Sequence, residues 1–94
     1  MLGLCLGAIA LSQTDRGIIN GTVNDSSGAA VADARVVATN IATNVTFTTQ
    51  TTSTGDFTIP ALSVGTYNVR IEKQGFKAAV RSDVVITAGG TATL

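Results

Sequence analysis

The chain of 94 residues contains no His and no Trp, and only one Cys and one Pro. Without His it lacks the commonest general base at neutral pH and the commonest protein ligand for metals. A Ser or Thr nucleophile would therefore have no base to activate it. With Cys5 alone, no disulfide can form within the chain. These absences predict a non-enzymatic protein that has no catalytic site, no metal site and no cofactor.

Three aspartates, Asp25, Asp33 and Asp56, remain as candidates for a metal site, because calcium takes oxygen ligands. Their spacing does not match that of a single calcium-binding loop. Turn chemistry explains Asp25 and Asp56 more simply, since Asp side chains accept hydrogen bonds from the backbone of their own turn. The sequence therefore favours turns over metal binding at these positions.

Charge is also scarce, with six basic and six acidic residues and a formal net charge of zero. A protein that recruits nucleic acid or an anionic membrane surface usually carries an excess of Lys and Arg. Nucleic acid is therefore not expected as a partner of this chain.

Threonine and glycine are abundant instead, with fifteen Thr and ten Gly. Thr, Val and Ile have β-branched side chains, which fit pleated sheets and disfavour helices. Many Gly residues beside a single Pro are typical of a chain with many tight turns. Because the length allows one domain, the composition predicts a single all-β domain.

Residues 1–11, MLGLCLGAIAL, form an apolar run without charged side chains. The run is shorter than the roughly 20 residues that span a bilayer, but it matches the hydrophobic region of a secretory signal peptide. Ala10-Leu11-Ser12 would then be the cleavage site. The alternative is an apolar strand or helix. We expect residues 1–14 to be a signal-peptide remnant or an apolar N-terminal segment, and residues 15–94 to be the folded domain.

A signal peptide would place the domain outside the cytoplasm, in the periplasm, in the outer membrane or in the medium, with no membrane span in the mature chain. The basic region that normally begins a signal peptide is missing here. The final strand is also expected to be cut short at Leu94. Both features suggest a fragment of a longer protein.

Alternating residues predict six to eight short strands. The clearest cover residues 18–25, 34–41, 45–52, 57–59 and 66–73, two weaker ones cover residues 77–82 and 83–87, and a last one begins at residue 91. Pro60 cannot donate a hydrogen bond to a neighbouring strand and is expected to end the fourth strand. Short strands at this spacing are typical of an all-β sandwich or a small barrel.

The strongest pattern lies between residues 55 and 76. Alternation with polar residues places Tyr67 and its neighbours of the same phase on the inner face of one strand. Gly55, Gly65 and Gly75 are expected at the corners that connect the strands. The predicted core residues of this stretch are Phe57, Ile59, Leu62, Tyr67, Val69, Ile71 and Phe76. After them, Lys77, Arg81 and Asp83 would discourage an edge strand from pairing with another chain.

An ordered set of short motifs resembles the carboxypeptidase regulatory-like domain. The motifs are Gly21-x-Val23-x-Asp25-x-x-Gly28-Ala29-x-Val31-x-x-Ala34-x-Val36, Asn40-x-x-Thr43, Gly55-x-Phe57, Leu62-x-x-Gly65-x-Tyr67-x-Val69 and Gly75-Phe76. The resemblance covers about residues 17–94. It implies a small seven-stranded Greek-key β-sandwich of the transthyretin-like (prealbumin-like, immunoglobulin-like) and Cna-B-like type, a fold also grouped with starch-binding-like domains. The sequence is similar in particular to the copy of this domain at the N-terminus of TonB-dependent receptor-like outer-membrane proteins.

The residues limit what the resemblance implies. A zinc carboxypeptidase needs His and Glu ligands, and this chain has no His and one Glu, Glu72. The isopeptide bond of Cna-B-type domains needs a Lys in the first strand and an Asn or Asp in the last. Residues 18–25 contain no Lys, and residues 91–94 contain neither Asn nor Asp.

The expected function is therefore a structural or protein-interaction role, in contact with other domains of a parent outer-membrane protein. The alternative is a carbohydrate-binding module of the starch-binding-like fold, with a glycan as partner. Carbohydrate binding usually needs exposed aromatic rings. Phe47, Phe57 and Tyr67 have the phase of core residues, and Phe76 is the one aromatic for which partial exposure is expected.

Overall fold

A computed structural model of the protein describes residues 16–94. The predicted signal-peptide remnant lies outside these residues. The described chain folds into seven strands without helices: β1 (Arg16–Thr22), β2 (Arg35–Asn40), β3 (Thr46–Gln50), β4 (Asp56–Ser63), β5 (Gly65–Glu72), β6 (Ala79–Ile86) and β7 (Thr91–Thr93). The all-β, seven-stranded sandwich that the sequence predicts is confirmed.

The strands form two sheets. One has three strands in the order β4-β1-β7, and the other has four strands in the order β3-β2-β5-β6. Within the first sheet, β1 is antiparallel to β4 and parallel to β7. All neighbours in the second sheet are antiparallel. The chain therefore changes sheets four times, after β1, β3, β4 and β6, and its first and last strands lie side by side.

The core lies between the two sheets and draws on the alternating positions of both. Tyr67 is fully buried, and its hydroxyl donates to the carbonyl oxygen of Ser63 over 2.8 Å. Burying one large apolar side chain stabilises a fold by about 1.5–3 kcal/mol. The buried cluster contains Ile19, Val36, Ala38, Phe57, Ile59, Leu62, Tyr67, Val69, Val84 and Ile86.

Gly55 forms a corner between the sheets that no other residue could form without strain. Its φ angle is +80°, and a Cβ atom there would lie 2.6 Å from the carbonyl oxygen of Val23. Both the left-handed backbone and the close approach therefore require glycine.

Strand β4 corrects the prediction that Pro60 ends the fourth strand. β4 continues through Pro60 to Ser63. Of the described strands, β4 pairs with β1 alone and is therefore an edge strand, and the ladder between them contains a bulge at Pro60 and Ala61. Ala61 has a φ angle of +60°. A proline is tolerated at such a position because its missing N–H would have had no partner.

The weaker strands predicted over residues 77–82 and 83–87 are in fact one strand, β6. Its ladder with β5 has an extra residue between Arg81, which pairs with Val69, and Val84, which pairs with Tyr67. Asp83 lies in this bulge with a φ angle of +59°. The bulge reverses the alternation of inward and outward residues, and the sequence pattern therefore suggested two strands.

Candidate functional site

A groove lies at the end of the sandwich where the β1–β2 connection faces the β5–β6 turn. Its volume is about 470 Å³. We name it the Phe76 groove, and its lining comprises Val23, Asn24, Asp25, Ser26, Ser27, Val31, Ala34, Ile71, Lys73, Phe76, Lys77 and Ala79. A second concave surface of about 570 Å³ adjoins it and shares Phe76 and Lys73.

The groove forms where the three-stranded sheet no longer covers the four-stranded one. Ile71 of β5 pairs with Ala79 of β6, and both continue the inward-facing row that contains Val69. Val69 is completely buried, whereas Ile71 is half-buried and Ala79 is exposed. Residues 23–31 cover part of this uncovered surface, with Val31 buried. The remaining gap is the groove.

Phe76 does not belong to the core, contrary to the prediction. It follows Gly75, whose φ angle is +86°, and its side chain remains 51% exposed. It lines both concave surfaces. Alternation placed it in phase with the core, but at this end of the molecule there is no opposing strand to bury it.

The opposite wall of the groove is a tightly bonded loop. The Asp25 carboxylate accepts hydrogen bonds from the Ser27 hydroxyl (2.6 Å), the Ser27 N–H (2.9 Å) and the Ala29 N–H (3.0 Å). The Val31 N–H donates to the Val23 carbonyl over 2.9 Å. This turn is the one that the sequence predicts at Asp25, and it gives the groove a defined wall.

Two side chains fix the base of this loop to the sheet. The buried Thr51 hydroxyl donates to the carbonyl oxygen of Val31 (2.7 Å) and accepts from the Ala34 N–H (2.9 Å). The Lys73 ammonium donates to the carbonyl oxygen of Ala32. The loop is therefore held at the distance from β5 that sets the width of the groove.

Both carboxylates near Phe76 with a shifted pKa are held in the charged form. Hydrogen bonds from the Ser27 hydroxyl and the Ala29 N–H lower the pKa of Asp25. The hydrogen bond from Arg70 (2.8 Å) lowers the pKa of Glu72, assisted by the charges of Arg70 and Arg35. These groups accept hydrogen bonds at neutral pH. With Lys73 and Lys77, they place charges of both signs along the two concave surfaces that Phe76 lines.

The three aspartates considered for calcium do not form a site. Asp25 lines the Phe76 groove and Asp33 lines the second surface. Asp56 accepts hydrogen bonds from Thr22 (2.8 Å) and Thr54 (2.6 Å) instead. Within residues 16–94, no three His, Cys, Asp or Glu residues are grouped so that they could hold a metal ion.

The other aromatic rings are unavailable as platforms. Phe57 and Tyr67 are buried, and the half-buried Phe47 packs against Tyr67 with 6.4 Å between ring centroids. Sequence reasoning identified Phe76 as the exception but missed the groove, because the groove depends on where one sheet ends. The Gly75-Phe76 pair between β5 and β6 was the available signal.

Both the sequence and the fold of this chain are similar to known proteins. The profile of the carboxypeptidase regulatory-like domain family matches residues 18–94. No curated protein matches the chain. Among solved structures, a candidate carbohydrate-binding protein from Bacteroides uniformis ATCC 8492 is similar with a TM-score of 0.66 and 22% identity, over 84% of this chain and 39% of that one. At this identity the likeness concerns the fold, and the chain spans about two fifths of that protein's length.

Proposed function

The chain belongs to the carboxypeptidase regulatory-like domain family, and on that premise we propose that it is a non-enzymatic accessory domain with a structural or protein-interaction role. The domain is exported and is part of a TonB-dependent receptor-like outer-membrane protein. The apolar run at residues 1–11 and the motif resemblance support this origin. Residues 16–94 contain no helix that could cross a membrane.

The Phe76 groove carries the proposal of a binding role. Phe76 is 51% exposed and lines two adjoining concave surfaces. Exposed aromatic rings in concave surfaces with polar rims are typical of interaction sites. The bonded loop at Asp25 and the fixed Thr51 support a preformed surface, which loses little conformational entropy on binding.

Photo-crosslinking tests the protein-interaction role. Benzoylphenylalanine replaces Phe76 in the exported protein, and intact cells are irradiated. The matched control places the same group at Val80, which is equally exposed (53%) but pairs with Arg70 and faces away from the core. We expect a protein adduct from position 76 and none from position 80. No adduct at 76, or equal adducts at both positions, would contradict this role.

Carbohydrate binding is the second candidate, and the surroundings of Phe76 favour it. Sugar rings stack on aromatic faces, and their hydroxyls bond to charged and amide groups. Here Asn24, Asp25, Lys73 and Lys77 line the same groove as Phe76. Small-molecule sites commonly combine an apolar surface with a few such polar groups. The similar fold of a candidate carbohydrate-binding protein supports the same choice.

A glycan array followed by calorimetry with maltooligosaccharides tests this candidate. We expect Phe76→Ala to weaken binding about tenfold or more, because burial of a phenyl ring against the ligand contributes roughly 1.5–3 kcal/mol. Phe76→Tyr should retain binding, and Val80→Ala should leave it unchanged. Glycan binding that survives Phe76→Ala, or no binding to any glycan, would exclude carbohydrate recognition at this groove.

A further inference from the structure

Among residues 16–94, the two sheets have four edge strands, and three of these strands carry features that block pairing with another chain. β4 contains Pro60 and a bulge. β6 carries Arg81 and has a bulge at Asp83. β7 is only three residues long. Proline, charge, bulges and short length are the usual protections of sheet edges.

The fourth edge, β3, has none of these protections. It is regular along its pairing with β2. It lies within residues 36–55, a run of twenty residues without Asp, Glu, Lys or Arg. Such an uncharged, β-branched edge is open to strand pairing.

The ladder with β2 identifies the backbone groups that are free. The Thr51 N–H bonds to the Ala34 carbonyl and the Asn40 N–H bonds to the Val45 carbonyl. In an antiparallel pair, every second residue points its N–H and C=O toward the partner. Phe47 and Thr49 therefore bond to β2. The N–H and C=O groups of Thr46, Thr48 and Gln50 point away from the sheet.

We propose that β3 is a dimerisation edge, and that it pairs antiparallel with β3 of a second copy around a twofold axis at Thr48. In this register Thr48 faces Thr48, and Thr46 faces Gln50 of the other copy. All three residues with free backbone groups then pair, which creates six hydrogen bonds between the copies. The two four-stranded sheets become one eight-stranded sheet.

The chemistry of β3 favours a second copy over a charged peptide. A twofold axis places the residue on the axis opposite its own copy and every other residue opposite its symmetry partner on the same strand, so a strand with charges of one sign would repel itself. Facing Thr residues instead form a favourable cross-strand pair. The net charge of zero adds little repulsion between copies. Phe47, half-buried, would gain Thr49 of the second copy as a neighbour.

Sedimentation velocity of the whole chain at increasing concentration tests the proposal, with Thr48→Lys and Thr48→Glu as variants. Each places like charges together on the axis and should weaken the dimer about tenfold. Mixing the two should restore a heterodimer, because Lys then faces Glu. Thr48→Val should retain the dimer, since pairing uses the backbone, and Thr58→Lys should also retain it, since it adds the same charge on the other sheet.

A monomeric wild-type chain at all concentrations would overturn the proposal. Association that Thr48→Lys leaves unchanged would also overturn it, because the contact between the copies would then lie on another surface. Failure of the mixture to form a heterodimer, while circular dichroism shows both variants folded, would exclude the register centred on Thr48.

Discussion

Replacing Thr51 by Val should destabilise the domain and loosen one wall of the Phe76 groove. Valine has nearly the shape of threonine but no hydroxyl. The buried Ala34 N–H and Val31 carbonyl would both lose their hydrogen-bond partner, the Thr51 hydroxyl. Its oxygen lies 2.9 Å from the Ala34 nitrogen and 2.7 Å from the Val31 carbonyl oxygen. An unsatisfied buried polar group costs about 1–3 kcal/mol, and the added apolar methyl offsets up to about 0.8 kcal/mol of it.

The expected net loss in the free energy of unfolding is therefore about 2 kcal/mol, or a melting temperature lower by about 8–16 °C in a domain of this size. Urea denaturation followed by circular dichroism measures it. Thr51→Ser keeps both hydrogen bonds and should cost less, and the exposed Thr58→Val should be neutral. If Thr51→Val is as stable as the wild type, or Thr51→Ser is the less stable of the two, the hydroxyl does not fix the loop.

Three further changes test other parts of the fold. Tyr67→Phe removes the hydroxyl that bonds to Ser63 and should lower the unfolding free energy by about 1–2 kcal/mol in the same denaturation assay. Gly55→Ala should cost at least about 1 kcal/mol more than Gly28→Ala, because both have positive φ but only at Gly55 would the new Cβ meet a neighbour; equal losses would refute the steric argument. Hydrogen bonds from the Thr54 and Thr22 hydroxyls lower the pKa of Asp56, so the Asp56 carboxylate binds a proton less tightly in the folded state than in the unfolded state. The stabilisation from these hydrogen bonds is therefore present above the ordinary carboxyl pKa and is lost as pH falls through the lowered pKa. Urea midpoints should therefore decline below about pH 4, less steeply in Asp56→Asn.

The alternating strand pattern predicted the interior of this sandwich well. Tyr67 and Val69 are completely buried, and Phe57 and Ile59 are nearly so. A period of two residues fixes the inner face wherever both sheets are present, because a slip by one residue would expose every apolar side chain. The family resemblance supplied the connections between strands, which periodicity alone does not specify.

The sequence predictions that the structure corrects have one physical origin. Pro60, Asp83 and Phe76 lie at edges or ends of sheets, where a missing neighbour changes what a residue can do. A proline is acceptable when no strand needs its N–H, a bulge forms when one side of a strand is free, and an aromatic ring stays exposed when no strand covers it. Such positions depend on how far each sheet extends, which is a tertiary property. The Phe76 groove could not be predicted from local sequence for the same reason.

The parallel contact between β1 and β7 gives the domain a mechanical property. A force that draws Arg16 and Leu94 apart acts along both strands, so it loads their hydrogen bonds in shear. In a hairpin the same bonds would open one after another, but here they must break together. The ladder is short. It pairs Ile18–Asn20 of β1 with Thr91–Thr93 of β7, and it ends with the hydrogen bond from the Leu94 N–H to the Asn20 carbonyl. Its rupture should therefore set the force at which the sandwich unfolds when it is stretched between Arg16 and Leu94.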